Sequence, residues 1–369
     1  MTHNHLSPEQ RDGLDAVIAQ ALAPIVQNVD QQGLYPREFM TRFGRAGGFG
    51  AAIPQEYGGL GLGLTDQIDI IAQVAQTCGS SAFLAWCQSA CAWYLLHAPN
   101  AAPRERYLRP IAQGQLLAGT GMSNAVKHLA GIERINLRGR HADEGGYVIN
   151  GSLPWVSNIG PGHLVIVAAS LQEGGYLMFA LPLNAEGVIL HDCQEFSGME
   201  GTGTLNIRLK NVRIPAEDVL AGPEQFEAYI QRIKPGFVLS QIGMGLGITQ
   251  ASLQTMRECN ATHSLVNQYL DDQEPTLRAE LDALDAATRD LAENEATAPL
   301  LSVLRARARA SELTLQATQS AALHAGAKGY LMRHPAQRRL REALFVAIVT
   351  PALKHLRKEI QALEIKKAA

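Results

Sequence analysis

The spacing of apolar residues changes twice along this chain of 369 residues, and these changes limit the folds that it can form. From Leu14 to Ile25, apolar residues recur at the spacing of one face of an α-helix. From Leu205 to Lys210 they alternate with polar residues instead, as in a half-buried antiparallel strand. After Gly222-Pro223 the helical spacing returns. The sequence therefore predicts helices, then strands, then helices again.

This order predicts a mainly helical α+β protein with three domains. The expected domains are a helical N-terminal domain over residues 1–115, a small antiparallel β-barrel or β-sandwich over 116–222, and a helical bundle over 223–369. Four or five long antiparallel helices are expected in the bundle. Gly326 to Gly329 breaks the helical series, and Pro335 is expected to open its last helix.

Composition and charge exclude several classes of protein. The formal net charge of −3 gives no general attraction to nucleic acid or to an anionic membrane. No apolar run has the length of a membrane span, and Met1 to Arg11 lacks the apolar core of a signal peptide. The five cysteines form no CxxC pair, which favours reduced thiols in the cytoplasm over disulfides or a metal site.

The stretch from Tyr147 to Ser170 combines strand and turn signals with a tryptophan. Tyr147 to Ile149 is predicted as a strand, Asn150-Gly151 as a hairpin turn, and Trp155 to Ser157 as a second strand. Because residues two apart on a strand share one face, Trp155 and Ser157 could cover a flat aromatic ligand and reach its polar edge. The alternative is a hairpin with one core tryptophan, and this stretch taken alone favours that alternative.

Five short motifs occur in a fixed order across the first two predicted domains. They are Pro54-Gln55-Glu56-Tyr57-Gly58-Gly59, Tyr107-Leu108 with Ile111 and Gly114, Tyr147-Val148-Ile149-Asn150-Gly151, Trp155-Val156-Ser157-Asn158, and Asn211-Val212-Arg213-Ile214-Pro215. With this order of helices and strands, the chain resembles the acyl-CoA dehydrogenase superfamily over nearly its whole length.

The resemblance implies a helical N-terminal domain, a β-domain and a C-terminal four-helix bundle, usually assembled as a homo-oligomer, a dimer or tetramer. It also implies FAD, with FMN or reduced flavin as alternatives. In the family the flavin ring lies against the positions of Trp155 and Ser157. A segment at the positions of Met122 and Ser123 contributes backbone and hydroxyl contacts to the flavin.

The chain departs from the family at the position of the catalytic carboxylate. The stretch from Arg341 to Pro351 is similar to the family segment that ends in a glutamate base, and it places Thr350 at that position. Some members carry the catalytic glutamate at a second position, and that position falls on Phe237. A hydroxyl is too weakly acidic to serve as the usual base, so the catalytic role of Thr350 is open. Glu342 matches a structural aspartate of the family. Glu200 stands where many members have an arginine, so the charge at that position is reversed.

Other expected contacts are also altered. The family position for the arginine at the FAD pyrophosphate falls on His263, and the strip along the adenosine falls on Leu323 and Gly326. Lys127 and His128 match the positions near which the CoA phosphates lie in members of the family. Those two side chains either bind an anionic part of the substrate or are solvated loop cations.

Three functions remain open on this basis. The first is a flavin-dependent oxidoreductase acting on an acyl thioester or a similar small molecule, other than plain fatty acyl-CoA desaturation. The second is a two-component monooxygenase that receives reduced flavin from a flavin reductase. The third is a non-catalytic or half-site subunit that needs a partner chain. The first is preferred, because the family resemblance supports it directly.

Overall fold

The N-terminal part of the chain is built from helices that pack around one buried helix. A computed structural model describes residues 5–368, so the first four residues of the Met1–Arg11 segment lie outside it. Helices α1 to α6 have the bounds Pro8–Val17, Val26–Gln31, Arg37–Arg45, Leu64–Thr77, Gly79–Leu96 and Ala101–Ala112. Helix α5 is apolar on all sides and buried along nearly its whole length, as expected of a central helix. Its Cys87 and Cys91 are buried free thiols.

A single sheet follows the helices. Strands β1 to β8 have the bounds Ala118–Thr120, Arg138–His141, Tyr147–Val156, Leu164–Leu171, Tyr176–Pro182, Val188–Asp192, Leu205–Ile214 and Val219–Ala221. The strand order is β6-β7-β3-β2-β4-β5-β8, with β1 beside β4. The β1–β4 and β2–β4 pairs are parallel and the other pairs are antiparallel. The predicted fold class, mainly helical with a largely antiparallel sheet in the middle, is confirmed.

The predicted hairpin turn at Asn150-Gly151 is wrong. Strand β3 continues through both residues, and its pairing with β7 shifts register between Ile149 and Gly151. Gly151 has a φ of 133°, a conformation that side-chain-bearing residues rarely adopt, so the glycine permits a bulge inside one long strand. Asn150 Oδ1 accepts a hydrogen bond from Asn211 N at 2.9 Å, which ties this bulge to β7.

The C-terminal part is again helical. Helix α7, Ser123–Leu129, interrupts the strands, and α8 to α12 have the bounds Phe226–Asn267, Glu274–Glu293, Leu300–Ala325, Pro335–Ile348 and Leu353–Ala368. Helix α10 packs against the other four of this group, and α8 also packs against α4 and α5. Helices α4 and α8 approach closely at Gly247, which has no side chain. A Cβ at that position would lie 2.0 Å from the carbonyl oxygen of Ala72. Pro335 does open a helix, but α12 follows it, so the expectation that α11 is last is wrong.

Buried charges join the terminal parts of the chain. Arg341 on α11 donates through both terminal nitrogens to Asp30 on α2, each at 2.7 Å, and the aspartate side chain is 5% exposed. This planar, two-bond geometry is the strong form of an arginine–carboxylate pair. Among residues 5–368, the structure contains no helix that is long and apolar enough to cross a membrane.

Candidate functional site

Trp155 is an exposed aromatic side chain in an unusual backbone conformation. It lies near the end of β3 with φ of 55° and is 65% exposed. Bulky residues rarely adopt positive φ, and such positions are often associated with function. The conformation is held by a hydrogen bond from Trp155 N to Asn206 Oδ1 at 3.2 Å. The indole edge meets the ring of Phe196 at a centroid distance of 6.4 Å. The exposed indole offers a flat apolar surface to a ligand.

A series of hydroxyl groups lies beside the tryptophan. Ser157 Oγ is 2.6 Å from Thr204 Oγ1, which is 2.8 Å from Thr202 Oγ1. Thr202 Oγ1 in turn donates to the carbonyl oxygen of Met199 at 2.7 Å. Ser157 and Thr202 are both buried. The expected contact residue Ser157 is therefore hydrogen-bonded to Thr204 and through it to Thr202, two residues that the sequence did not indicate.

Strand β1 connects this region to a second pair of hydroxyls. A Cβ at Gly119 would lie 2.4 Å from the carbonyl oxygen of Ser157, so β1 passes directly against the end of β3. The chain then continues to Met122 and Ser123, and Ser123 Oγ lies 2.7 Å from Thr350 Oγ1. Where the family resemblance placed a carboxylate, two hydroxyls share one hydrogen bond.

The turn that carries Thr350 is fixed by a buried arginine. Gln241 Nε2 donates to the carbonyl oxygen of Thr350 at 2.9 Å, and Arg307 Nε donates to Gln241 Oε1 at 3.0 Å. Arg307 also donates to the carbonyl oxygen of Val346 at 2.7 Å. Its side chain is completely buried, and burial lowers the pKa of its guanidinium to about 10. These bonds satisfy carbonyl groups at the end of α11, which would otherwise lack partners.

A mostly apolar cavity of about 110 Å³ lies next to this turn. Its walls include Met122 from the segment after β1, Phe237 from α8, Tyr94 from α5 and Pro351 from the Thr350 turn. Phe237 is buried and packs against the rings of Trp86 and Tyr94. A cavity of this size holds several water molecules or a small organic group. Three of the predicted site residues, Met122, Lys127 and Phe237, thus line one cavity, and Thr350 directly precedes the wall residue Pro351.

Polar groups are few in the cavity walls, and they include His355 and Glu359 on α12. Glu359 is paired with Lys234. His355 Nδ1 is buried and has no hydrogen-bond partner among the described residues. Burial and the nearby Lys354 and Lys127 lower the pKa of the His355 imidazole, so the ring is neutral at pH 7. A neutral imidazole in this position can accept a proton, which the Thr350 hydroxyl cannot do at neutral pH.

The two cations proposed for an anionic substrate group have different surroundings. Lys127 lines the cavity, and its Nζ lies 2.8 Å from Glu133 Oε2. The ring of His128 is held on both sides, with Nδ1 3.0 Å from the carbonyl oxygen of Glu133 and Nε2 2.9 Å from Tyr176 Oη. Asn124 fixes the same loop by donating to Glu133 Oε1 at 2.6 Å. Of the two cations, Lys127 is therefore the one with access to the cavity.

The residue proposed for the FAD pyrophosphate, His263, and the two proposed for the adenosine, Leu323 and Gly326, lie at the ends of bundle helices. His263 lies at a kink in α8 and contacts Thr262, Leu323 is exposed on α10, and Gly326 ends α10 with φ of 59°. Asn267 donates to the carbonyl oxygen of His324 at 3.2 Å, which joins the two helix ends. The structure thus brings these three positions to the same end of the helical part.

Comparisons with known proteins point to one family. A family model described as acyl-CoA dehydrogenase, N-terminal domain, matches residues 7–115. A probable acyl-CoA dehydrogenase, YngJ, of Bacillus subtilis is 29% identical over 241 residues, which is 63% of this chain and 62% of that protein. A cyclohex-1-ene-1-carbonyl-CoA dehydrogenase of Geobacter metallireducens is 24% identical over 364 residues, covering 94% of this chain and 95% of that protein.

Solved structures share the fold. A glutaryl-CoA dehydrogenase in complex with glutaryl-CoA has a TM-score of 0.87 and 21% identity, covering 99% of this chain and 97% of that one. A glutaryl-CoA dehydrogenase from Mycobacterium smegmatis in complex with FADH2 has a TM-score of 0.83 and 16% identity, covering 99% and 96%. Dibenzothiophene monooxygenase (TdsC) from Paenibacillus sp. A11-2 has a TM-score of 0.79 and 18% identity, covering 94% and 95%. At these identities the structures establish the fold alone.

The order of helices and strands is that of the acyl-CoA dehydrogenase fold. Residues 7–115 match the acyl-CoA dehydrogenase N-terminal family model, and nearly the whole chain is similar to acyl-CoA dehydrogenases in sequence and in fold.

Proposed function

We propose that this chain is a flavin-dependent oxidoreductase that binds FAD and acts on an acyl thioester or a similar small molecule. The observation that carries the proposal is the exposed Trp155 with the Ser157 hydroxyl beside it, next to the strand that leads to the cavity. A flat ring with a polar edge fits this arrangement, because the indole can cover one face while hydroxyls meet the edge. Bound there, FAD would supply a two-electron acceptor for the substrate.

The cavity next to the hydroxyl pair is proposed as the substrate site. Apolar walls from Met122, Phe237 and Pro351 suit an acyl group, and Lys127 at the wall suits a negatively charged part of the substrate. Proton transfer is assigned to His355, because the residue lines the cavity and its Nδ1 has no hydrogen-bond partner within residues 5–368, whereas Glu359 is already paired with Lys234. This assignment replaces the missing carboxylate at Thr350.

A two-component monooxygenase is the second candidate. The pair Ser123–Thr350 favours it, because oxygen chemistry on a reduced flavin needs a pocket without water and does not need a carboxylate base. Its partners would be a flavin reductase and oxygen. The five cysteines form no disulfide among the described residues, and three of them are buried, which supports a cytoplasmic location for either enzyme.

The experiment that separates these functions is an anaerobic titration of the FAD-loaded protein with acyl-CoA esters, followed by its visible spectrum. Loss of the flavin absorbance with an acyl-CoA alone is the result expected for the first proposal. Product formation only with a reductase and oxygen would replace it with the monooxygenase. A folded protein that binds neither FAD nor FMN in either redox state would contradict both and support a subunit that needs a partner chain.

We also propose that the chain forms a homo-oligomer, a dimer or tetramer. Leu265, Val266 and Tyr269 at the end of α8 are each at least 70% exposed, and Tyr330 and Leu331 near the end of α10 are exposed as well. Because large apolar patches on soluble proteins mark contact surfaces, Val266→Lys should dissociate the oligomer in sedimentation experiments. Lys210→Glu, a change on the exposed side of β7, is the control and should leave the mass unchanged. An unchanged mass for Val266→Lys would contradict this choice of surface.

A further inference from the structure

The hydroxyl groups of Ser157, Thr204 and Thr202 form a relay that ends at a backbone carbonyl. The successive oxygen–oxygen distances are 2.6 Å from Ser157 to Thr204, 2.8 Å from Thr204 to Thr202, and 2.7 Å from Thr202 to the carbonyl oxygen of Met199. All three distances are those of O–H···O hydrogen bonds. The final acceptor determines the direction of these hydrogen bonds, because a carbonyl oxygen can accept a hydrogen bond but has no proton to donate.

The carbonyl at the end of the relay sets the direction of every bond in it. Each hydroxyl has a single proton. The proton of Thr202 is used for the carbonyl of Met199, so the bond between the two threonines must use the proton of Thr204. The bond between Thr204 and Ser157 must then use the proton of Ser157. Ser157 is left with lone pairs only, so it can accept from a ligand but has no proton to give.

We propose that this relay makes the site select reduced over oxidised FAD, through Ser157 acting as a hydrogen-bond acceptor. The inference rests on the proposed function, in which the polar edge of the flavin ring meets Ser157. Two-electron reduction with uptake of a proton converts a bare ring nitrogen of the flavin into an N–H group. The reduced ring can donate to Ser157, whereas the oxidised ring would place its nitrogen lone pair against the lone pairs of the hydroxyl.

Reversing the relay is unfavourable because its far end is buried. Thr202 is 2% exposed, so a reversed relay would remove the hydroxyl bond to the Met199 carbonyl oxygen without water to replace it. That oxygen would keep only its bond from Thr202 N at 3.1 Å. The loss of one such bond corresponds to roughly a three- to tenfold change in an equilibrium constant. That range is the expected preference for the reduced cofactor.

The second hydroxyl pair provides an internal contrast. Ser123 and Thr350 lie 2.7 Å apart, and either can be the donor. Ser123 is exposed, and among the described residues neither hydroxyl continues to a carbonyl oxygen. That pair can present a donor or an acceptor to a ligand, so it is not expected to distinguish the two redox states.

The test compares the dissociation constants of oxidised FAD and of dithionite-reduced FAD for the full chain under anaerobic conditions. The wild-type protein should bind the reduced form roughly three- to tenfold more tightly, and a tenfold ratio corresponds to a midpoint potential about 30 mV above that of free FAD. Thr204→Val keeps the shape of the side chain and frees the proton of Ser157, so the ratio should fall by about the same factor. Thr202→Val should act in the same direction.

Thr249→Val is the matched control, because Thr249 donates to Thr314 Oγ1, and Thr314 in turn donates to a carbonyl oxygen, in a buried chain of the same kind inside the helical part. It should leave the ratio unchanged. Tighter binding of oxidised FAD by the wild type, or an unchanged ratio in both threonine variants with FAD still bound, would overturn the inference and leave the proposed function standing. A folded wild-type protein that binds FAD in neither state would overturn both.

Discussion

Replacing Trp155 with alanine is expected to weaken the binding of FAD by roughly 30-fold, or about 2 kcal/mol. The indole is 65% exposed, and its backbone is held at positive φ by the pairing of β3 with β7 and by Asn206. A large ring kept in this conformation with most of its surface open loses little entropy when a flat ligand covers it. Calorimetry with oxidised and with reduced FAD would measure the loss, which should be similar for both redox states.

Trp155→Phe is the control for this variant. It keeps an aromatic surface at the same position, so its affinity for FAD should stay within about threefold of the wild-type value. An alanine variant that binds FAD as tightly as the wild type would show that the ring binds elsewhere, and the proposed cofactor site would then be wrong.

Glu342→Ala is expected to cost about 3–5 kcal/mol of the free energy of unfolding. The carboxylate is 2% exposed, accepts a hydrogen bond from Gly79 N at 2.9 Å, and lies 3.2 Å from Arg338 Nε. Gly79 begins α5, so the carboxylate lies at the positive end of a buried helix. Alanine would leave a buried helix terminus and a buried guanidinium without their anion. Urea unfolding at a fixed protein concentration would measure the loss.

Glu364→Ala is the matched control for this measurement. Glu364 forms an ion pair with Arg305 at 2.6 Å, but both side chains are about half exposed, so its removal should cost no more than about 1 kcal/mol. Glu342→Gln, which keeps an acceptor for Gly79 N but not the charge, should fall between the two. If Glu342→Ala lost no more than Glu364→Ala, the role of this carboxylate as the partner of α5 would be refuted.

Sequence alone predicted the architecture of this protein because its signals are local. The change from helical spacing to alternation and back depends only on which residues lie within a few positions of each other, and it predicted the order of helices and strands. Motifs around Tyr57, Trp155 and Asn211 indicated the family for the same reason. Local signals failed at Asn150-Gly151, where a turn-forming pair lies inside a strand because pairing with β7 on one side and β2 on the other outweighs the turn preference.

The chemistry of the site was decided by tertiary contacts. Thr350 could be identified from its motif, but its partner Ser123 lies 227 positions earlier, and no spacing rule joins the two. The relay joins Ser157 to Thr204 across 47 positions, and its direction depends on a carbonyl at Met199 that only the folded backbone brings close. His355 and Arg307 carried no signal in the sequence, since a histidine or arginine in an amphipathic helix is usually solvated. The contacts of Arg307 and the role proposed for His355 depend on the burial of single polar atoms. Sequence patterns indicate which face of a helix is buried, but not the partners of one such atom.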